Sequence, residues 1–533
     1  MTGIGNASLE ITTRSPGAQA YFNQGLRLLH CFWFFEAYRA FKEAARRDPS
    51  AAMAYWGIAE AFTNFEMGDQ AKAAIEKARL LMDQASEHER YYIRATADLV
   101  ERPDDEGRQA RLLELQALIN KYPDDLNAQA FLALFEMSGY GPDGRPNPGQ
   151  TDAQKLLRHI LASHPDDVAA NHYWIHAVEG GPTPQEGLKN AELLAQLAPN
   201  SGHLVHMAGH VYYRLGQYEK ARQAFLNSLR VDDAYLAREH LPPEDDANYH
   251  HNLSYLVATC AEEGRYREAM KWAKTQDDSP APLDYASSDL HYAIPVGSTL
   301  LRLHLRFADW QAAAGDAVNF GVEPGRVSPS AWEYQEGWRI YARGMAALAS
   351  GSSPADVDQA GKQSAALQAL LGRLKGQESA ELPPSAFWVG GAIRLLDLAS
   401  LELQGNLKSL QGGNAEAFRL LKEAIQQEKA LGYTEPPYFA RPVEETLGDV
   451  LLRAHAWELA RQAYHQEAEA RPHSGFALFG IAKSYELEGR APEATRAYAT
   501  FLEAWRHADR DLRPIRKAES WLAAHRAERP GIQ

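Results

Sequence analysis

Apolar residues recur every three or four positions along most of the chain, and strict alternation of apolar and polar residues is almost absent. That periodicity predicts amphipathic helices rather than strands. The segments "AYRAFKEAARRDP" (37–49) and "YEKARQAFLNSLRVDD" (218–233) carry it clearly. Such runs end near Pro, Asp or Gly, residues that stop helices. The pattern predicts an all-α protein.

The helical runs also repeat. Gly25 is followed by Ala37, Phe41, Ala44 and Pro49, and Gly209 and Tyr212 precede Ala221, Phe225, Ser228 and Asp233. Leu447 and Gly448 precede Ala460, Tyr464 and Pro472 in the same way. In each copy a small residue lies twelve before an alanine, an aromatic follows four later, and a helix-ending residue eight after that. This spacing resembles the tetratricopeptide repeat, a helix–turn–helix unit of about 34 residues. The small residue lets paired helices approach and the aromatic fills the gap between them. Pro165, Pro199 and Asp233, spaced by 34, are expected to end three successive helix pairs. Weaker copies follow at 262–273, 307–315, 414–424 and 488–501. The resemblance implies a right-handed α-solenoid of tetratricopeptide-like helix hairpins, in which stacking buries a core that no single unit could bury.

Two stretches interrupt the array: the Gly/Pro-rich "SGYGPDGRPNPGQ" (138–150) and the break "KGQESAELPPS" (375–385), the latter preceded by a looser region at 349–359. They divide the chain into N-terminal helices over 1–137, a loop over 138–152, a central array over 153–375, a linker over 376–390 and a C-terminal array over 391–533.

Several segments resemble something narrower than the generic repeat. "AYFNQGLRLLHCFWFFEAYRAFKEAARRDPSAAMAYWGIAEA" (20–61), "NHYWIHAVE" (171–179), "GHLVHMAGHVYYRLGQY" (202–218), "YHHNLSYL" (249–256) and "EPPYFARPVEETLGDVLL" (435–452) stand in one order. With "SGFALFGIAKSYELEGR" (474–490), they are similar to a poorly characterised group of large bacterial tetratricopeptide proteins with a His-rich central segment. The resemblance implies a shared architecture and a shared His-rich site. Ser254 stands where that pattern carries a further histidine.

Five of the 19 histidines fall between 172 and 210. On a helix His203, His206 and His210 share one narrow stripe, and His172 and His176 lie one turn apart. His206 and His210 stand 34 residues after His172 and His176, so the two pairs occupy equivalent positions on the first helices of consecutive repeats. Neighbouring helices pack about 9–10 Å apart. The resemblance implies that these first-helix positions line a concave groove, where the pairs would form a four-imidazole cluster. His203 extends the cluster by one turn, and His251, counted back from Ala269, holds the same repeat slot as His203.

Neutral imidazole suits zinc, copper, iron and nickel, and the shortage of carboxylates nearby favours copper or iron, with zinc as a third choice. Glu179 and Tyr213 share the groove-facing slots and are the catalytic candidates, Glu179 as ligand, base or partner of a ligand. The plainer readings are a groove of stacked imidazoles binding an acidic peptide, and packing copied by repeat duplication. His30 and Cys31 are expected to close the first helix, with His30 reaching the groove only as a disfavoured alternative. The aromatic run Phe32–Phe35 is expected in the core, with a ligand cage as its alternative, and "EPPY" (435–438) as a turn, with a loop over the groove as its alternative.

Charge and composition narrow the field. With 55 basic against 70 acidic residues, the net −15 disfavours a broad electrostatic hold on nucleic acid or anionic membrane. Two cysteines, Cys31 and Cys260, exclude a disulfide framework or a Cys-rich zinc finger. No basic-then-apolar leader and no long apolar run is present, so a cytoplasmic location without membrane insertion is expected. The sequence thus points to a metalloprotein with a His-ligated transition metal on a concave face, a metal-dependent oxidative enzyme acting on a small molecule or peptide. The alternative is a non-enzymatic scaffold that binds a partner protein's peptide in its groove.

Overall fold

A computed structural model describes residues 1–63, 68–243, 246–279, 289–315, 328–351, 353–380 and 385–525. Among them there is no strand, only one isolated bridge between Tyr140 and Pro146. The helices pair as antiparallel hairpins of tetratricopeptide type, and the chain separates into two compact units. One comprises 1–211, 223–252 and 282–284; the other comprises 212–222, 253–281 and 285–533.

The first unit is built on the hairpins α1 (Pro16–His30) with α2 (Phe34–Arg47), α3 (Ala52–Thr63) with α4 (Gly68–Leu81), and α5 (Glu87–Glu101) with α6 (Asp105–Lys121). It continues through α7 (Leu126–Glu136) with α8 (Gln150–Ser163) and α9 (Val168–Glu179) with α10 (Leu188–Leu197). Most of α11 (Gly202–Arg214) and of α12 (Tyr218–Glu239), and the start of α13 (Ala247–Glu262), complete it.

The spacing rule has a direct physical cause. A Cβ built on Gly209 would lie 2.6 Å from the Phe225 ring, and one on Gly25 equally close to Phe41. Each aromatic therefore fills a notch that any side chain on the facing helix would occupy. In the second unit Tyr464 fills the notch at Gly448 in the same manner.

The expected helix ends hold at α8 and α10, which stop two residues before Pro165 and Pro199. At Asp233 the expectation fails, because α12 continues to Glu239. No Pro or Gly follows Asp233, Tyr235 and Leu236 bury apolar area on the extra turn, and the helix stops only before Pro242–Pro243.

The second unit contains α14 (Tyr266–Asp277), α15 (Asp289–Tyr292), α16 (Thr299–Arg306) and α17 (Trp310–Ala314), and then α18 (Pro329–Ser350), α19 (Pro354–Glu378) and α20 (Ser385–Leu410). It ends with the hairpins α21 (Asn414–Ala430), α22 (Val443–Arg453) with α23 (Trp457–Ala470), α24 (Gly475–Glu488) with α25 (Ala491–Ala504), and α26 (Arg513–Ala524). The linker expected over 376–390 falls partly outside the described residues, at 381–384. One apolar core runs from Leu290 through Trp338, Leu396 and Leu421 to Tyr464. No described helix is long and apolar enough to cross a membrane.

Candidate metal centre

Helix α9 is anchored at both ends. Asp167 caps its start, its carboxylate accepting from the Ala170 amide at 2.7 Å. Near its end the Ala177 carbonyl accepts from Tyr140 Oη, Gln150 Nε2 and Gln154 Nε2 at 2.7–2.9 Å. The Gly/Pro-rich loop thus fixes the helix that carries the first histidine pair. Every residue of α9 except His176 is buried, so its polar side chains have no water to fall back on.

The six histidines collect into two trios rather than one quartet: His172, His176 and His203, and then His206, His210 and His251. The ligand atoms within each trio lie within 4.8 Å of one another. Each trio joins a pair on one helix to a single histidine one turn further back on the next. His250 stays out of both; burial pulls its pKa down to about 4.

Second contacts decide which ring nitrogen faces inward. His172 Nδ1 donates to the His30 carbonyl at 2.7 Å. His210 Nδ1 donates to Glu179 Oε2 at 2.9 Å, and His176 Nδ1 stands 2.6 Å from Glu179 Oε1. With Nδ1 carrying the proton, the neutral ring presents an Nε2 lone pair. Those lone pairs converge: His172 Nε2 is 2.9 Å from His203 Nε2 and 3.1 Å from His176 Nε2, and His210 Nε2 is 3.3 Å from His251 Nε2.

The trios fit a transition metal by geometry and by unmet need. Metal–imidazole bonds of about 2.0–2.1 Å place neighbouring ligand nitrogens about 2.8–3.4 Å apart at square to tetrahedral angles. Three of the six ligand pairs, at 2.9–3.3 Å, fall within that range, and the others lie within 4.8 Å. His206 is fully buried, its ring centroid 4.6–5.3 Å from those of His203, His210 and His251, and among the described residues neither of its nitrogens has a hydrogen-bond partner. Leaving a buried polar group unsatisfied costs about 1–3 kcal/mol, which metal ligation at one nitrogen offsets.

Electrostatics agree with the geometry. Burial, reinforced by neighbouring imidazoles, holds His172, His203 and His206 well below the usual histidine pKa, so protons do not compete for their lone pairs near neutrality. Burial alone would push Glu179 upward, but the adjacent His210 and His176 outweigh it and hold the carboxyl well below its usual range. A buried anion thus ties one imidazole of each trio to the other. Both its oxygens face ring nitrogens, which makes Glu179 an orienting group for ligands.

Phe32, expected in the core, packs against it and also lies over the first trio. Its ring centroid lies 4.5 Å from that of His172 and 5.4 Å from those of His176 and His203. Its backbone is left-handed, with φ 54°, a conformation that costs a bulky residue roughly 1–2 kcal/mol. The turn after α1 holds a phenyl ring over the first trio where glycine would be easier. A bulky residue at a helix C-terminus was the only available signal. His30, the last residue of α1, is buried between Tyr173 Oη and Asn127 Oδ1. Tyr213 belongs to the second unit.

His30 gives a test of the buried-imidazole electrostatics. Burial lowers its pKa to about 4 against about 6.5 in the unfolded chain. The folded state then binds fewer protons in that window, so stability is complete above about 6.5 and falls as pH drops toward 4. Between pH 7.5 and 5, metal-free wild type is expected to lose about 2 kcal/mol more unfolding free energy than a His30→Asn variant. Urea titrations at the two pH values measure the difference; equal losses would show that the ring is not held neutral.

No protein-family model matches the chain, and no curated protein does. Among solved structures the chain is similar to the APC/C hetero-tetramer Cut9–Hcn1, at 14% identity and a TM-score of 0.36, over 97% of this chain and 78% of that one. It is also similar to the human IFIT1 dimer with m7Gppp-AAAA, at 11% identity and a TM-score of 0.37, over 84% and 88%. Likenesses this distant say nothing about the site.

Proposed function

We propose that the chain is a metalloprotein whose two imidazole trios each bind a transition metal ion, and that it is a metal-dependent oxidative enzyme acting on a small molecule or peptide. The supporting observation is that the ligand atoms of each trio lie within 4.8 Å of one another, three of the six pairs at 2.9–3.3 Å, with Nδ1 of His172, His176 and His210 turned to the His30 carbonyl or to Glu179. Three imidazoles leave a position open for a substrate. All-nitrogen donors favour copper or iron, with zinc less favoured. A bound copper or iron ion would supply one-electron chemistry at the open position.

The chain's own residues do the rest. The His30 carbonyl and Glu179 fix the tautomers of His172, His176 and His210, and Phe32 keeps water from one face of the first trio. The second reading, a binding scaffold, draws on a groove of about 820 Å³ in the second unit. Its lining mixes Phe476, Phe479 and Tyr498 with the ion pairs Lys483–Asp449 and Lys517–Glu486, which suits a peptide of mixed charge with apolar anchors.

Metal analysis of tag-free protein grown in metal-replete medium separates the two. About two ions per chain are expected, falling sharply in a His206→Ala, His210→Ala double variant. Less than about 0.2 ion per chain, unchanged by the double variant, removes the metal centre and leaves the scaffold.

A further inference from the structure

The second unit holds a small, partly open cavity of about 30 Å³ that involves none of the six histidines. Tyr213, Ser254, Thr299, Arg302 and Arg471 line it, and Pro436 and Pro437 wall one side. The "EPPY" segment therefore shapes a pocket in addition to making a turn.

The arginines around this cavity are not equivalent. Arg306 and Arg471 both reach the Glu262 carboxylate, at 2.8 and 3.4 Å. Arg302 is 8% exposed and forms no ion pair among the described residues. Its Nη1 donates to the Ile294 carbonyl at 3.3 Å, and its Nη2 to the Pro295 carbonyl at 3.0 Å and to Thr299 Oγ1 at 3.3 Å. Those carbonyls come from a π-helical turn, Ala293–Gly297, a form that recurs at functional sites. Dipoles hold the guanidinium in place but leave its charge unmatched. A buried cation without a counter-charge is costly.

Beside it, the Tyr213 hydroxyl is also unmatched. Tyr213 is 7% exposed and has no hydrogen-bond partner among the described residues. Burial pushes its phenol up to about 12, so it stays a donor at neutral pH. A fixed guanidinium and a free O–H donor on one small cavity complement an anion with two oxygens. The volume holds about two water-sized atoms, which admits a carboxylate and no larger head group. Val257, Ala258 and Leu303 offer apolar surface to whatever follows it.

We infer that this cavity binds the carboxylate end of a small organic acid, received by the Arg302 guanidinium and the Tyr213 hydroxyl. The site stands whether or not the trios hold metal, so the test uses full-length protein with and without chelator. Calorimetric titration with sodium propionate and sodium benzoate, at constant ionic strength against sodium chloride, is expected to show saturable binding of the carboxylates in both preparations. Tyr213→Phe is expected to weaken it about tenfold or more, and Arg302→Met to abolish it. No saturable binding, chloride binding as tightly as propionate, or unchanged affinity in Tyr213→Phe would each overturn the assignment. Tyr213→Phe removes one oxygen only, so it decides the matter even if Arg302→Met fails to fold.

Discussion

Glu179→Gln is expected to lower metal affinity about 10- to 100-fold at one trio and to leave the other less affected, the range found when a group orienting metal ligands is lost. Glu179 is 1% exposed, with one oxygen toward His176 Nδ1 and the other toward His210 Nδ1. A carboxylate accepts from both rings, whereas an amide has one acceptor and one donor group. The amide nitrogen must then face a ring N–H, and that ring relieves the conflict by flipping tautomer. The flip moves its lone pair from Nε2 to Nδ1 and removes a ligand from one trio. Competition with a chromophoric chelator measures the affinity, and loss at one ion before the other is the distinguishing result. Unchanged affinity for both ions would show that Glu179 does not set the tautomers.

Phe225→Ala carries the largest expected cost in stability, about 3–5 kcal/mol, as for other buried Phe truncations. The ring fills the notch at Gly209 and lies with its centroid 6.2 Å from that of His206 and 6.1 Å from that of His210. Its removal frees α11 to shift at the point where two ligands leave the backbone. Denaturant unfolding should register the loss, and metal content should fall with it. A variant that loses stability yet retains full metal content would show that the trio does not depend on this packing.

The hairpins could be read from the sequence because their cause is local. Gly209 with Phe225 and Gly448 with Tyr464 are steric pairs at fixed spacing, and proline after α8 and α10 is a covalent stop. The length of α12 could not be read that way, because burial of Tyr235 and Leu236 overrode the repeat. The clustering of the six histidines was legible from period and phase. Their partition was not, since which rings meet depends on the offset between neighbouring helices. The His30 carbonyl escaped because it reaches the site from the end of α1, 142 residues from His172 along the chain. No periodicity encodes that approach.

The construction of the trios has a consequence for their number. His203 and His251 share a repeat slot, and each completes the pair carried by the helix before it, so the second trio is the first advanced by one repeat. The arrangement is a ladder and not a symmetric dyad. Ala169 holds the slot where an earlier rung would need its single histidine, and Ser254 and Ala258 hold those where a later rung would need its pair. Its capacity for ions is therefore counted in repeats and is closed at each end by a small side chain.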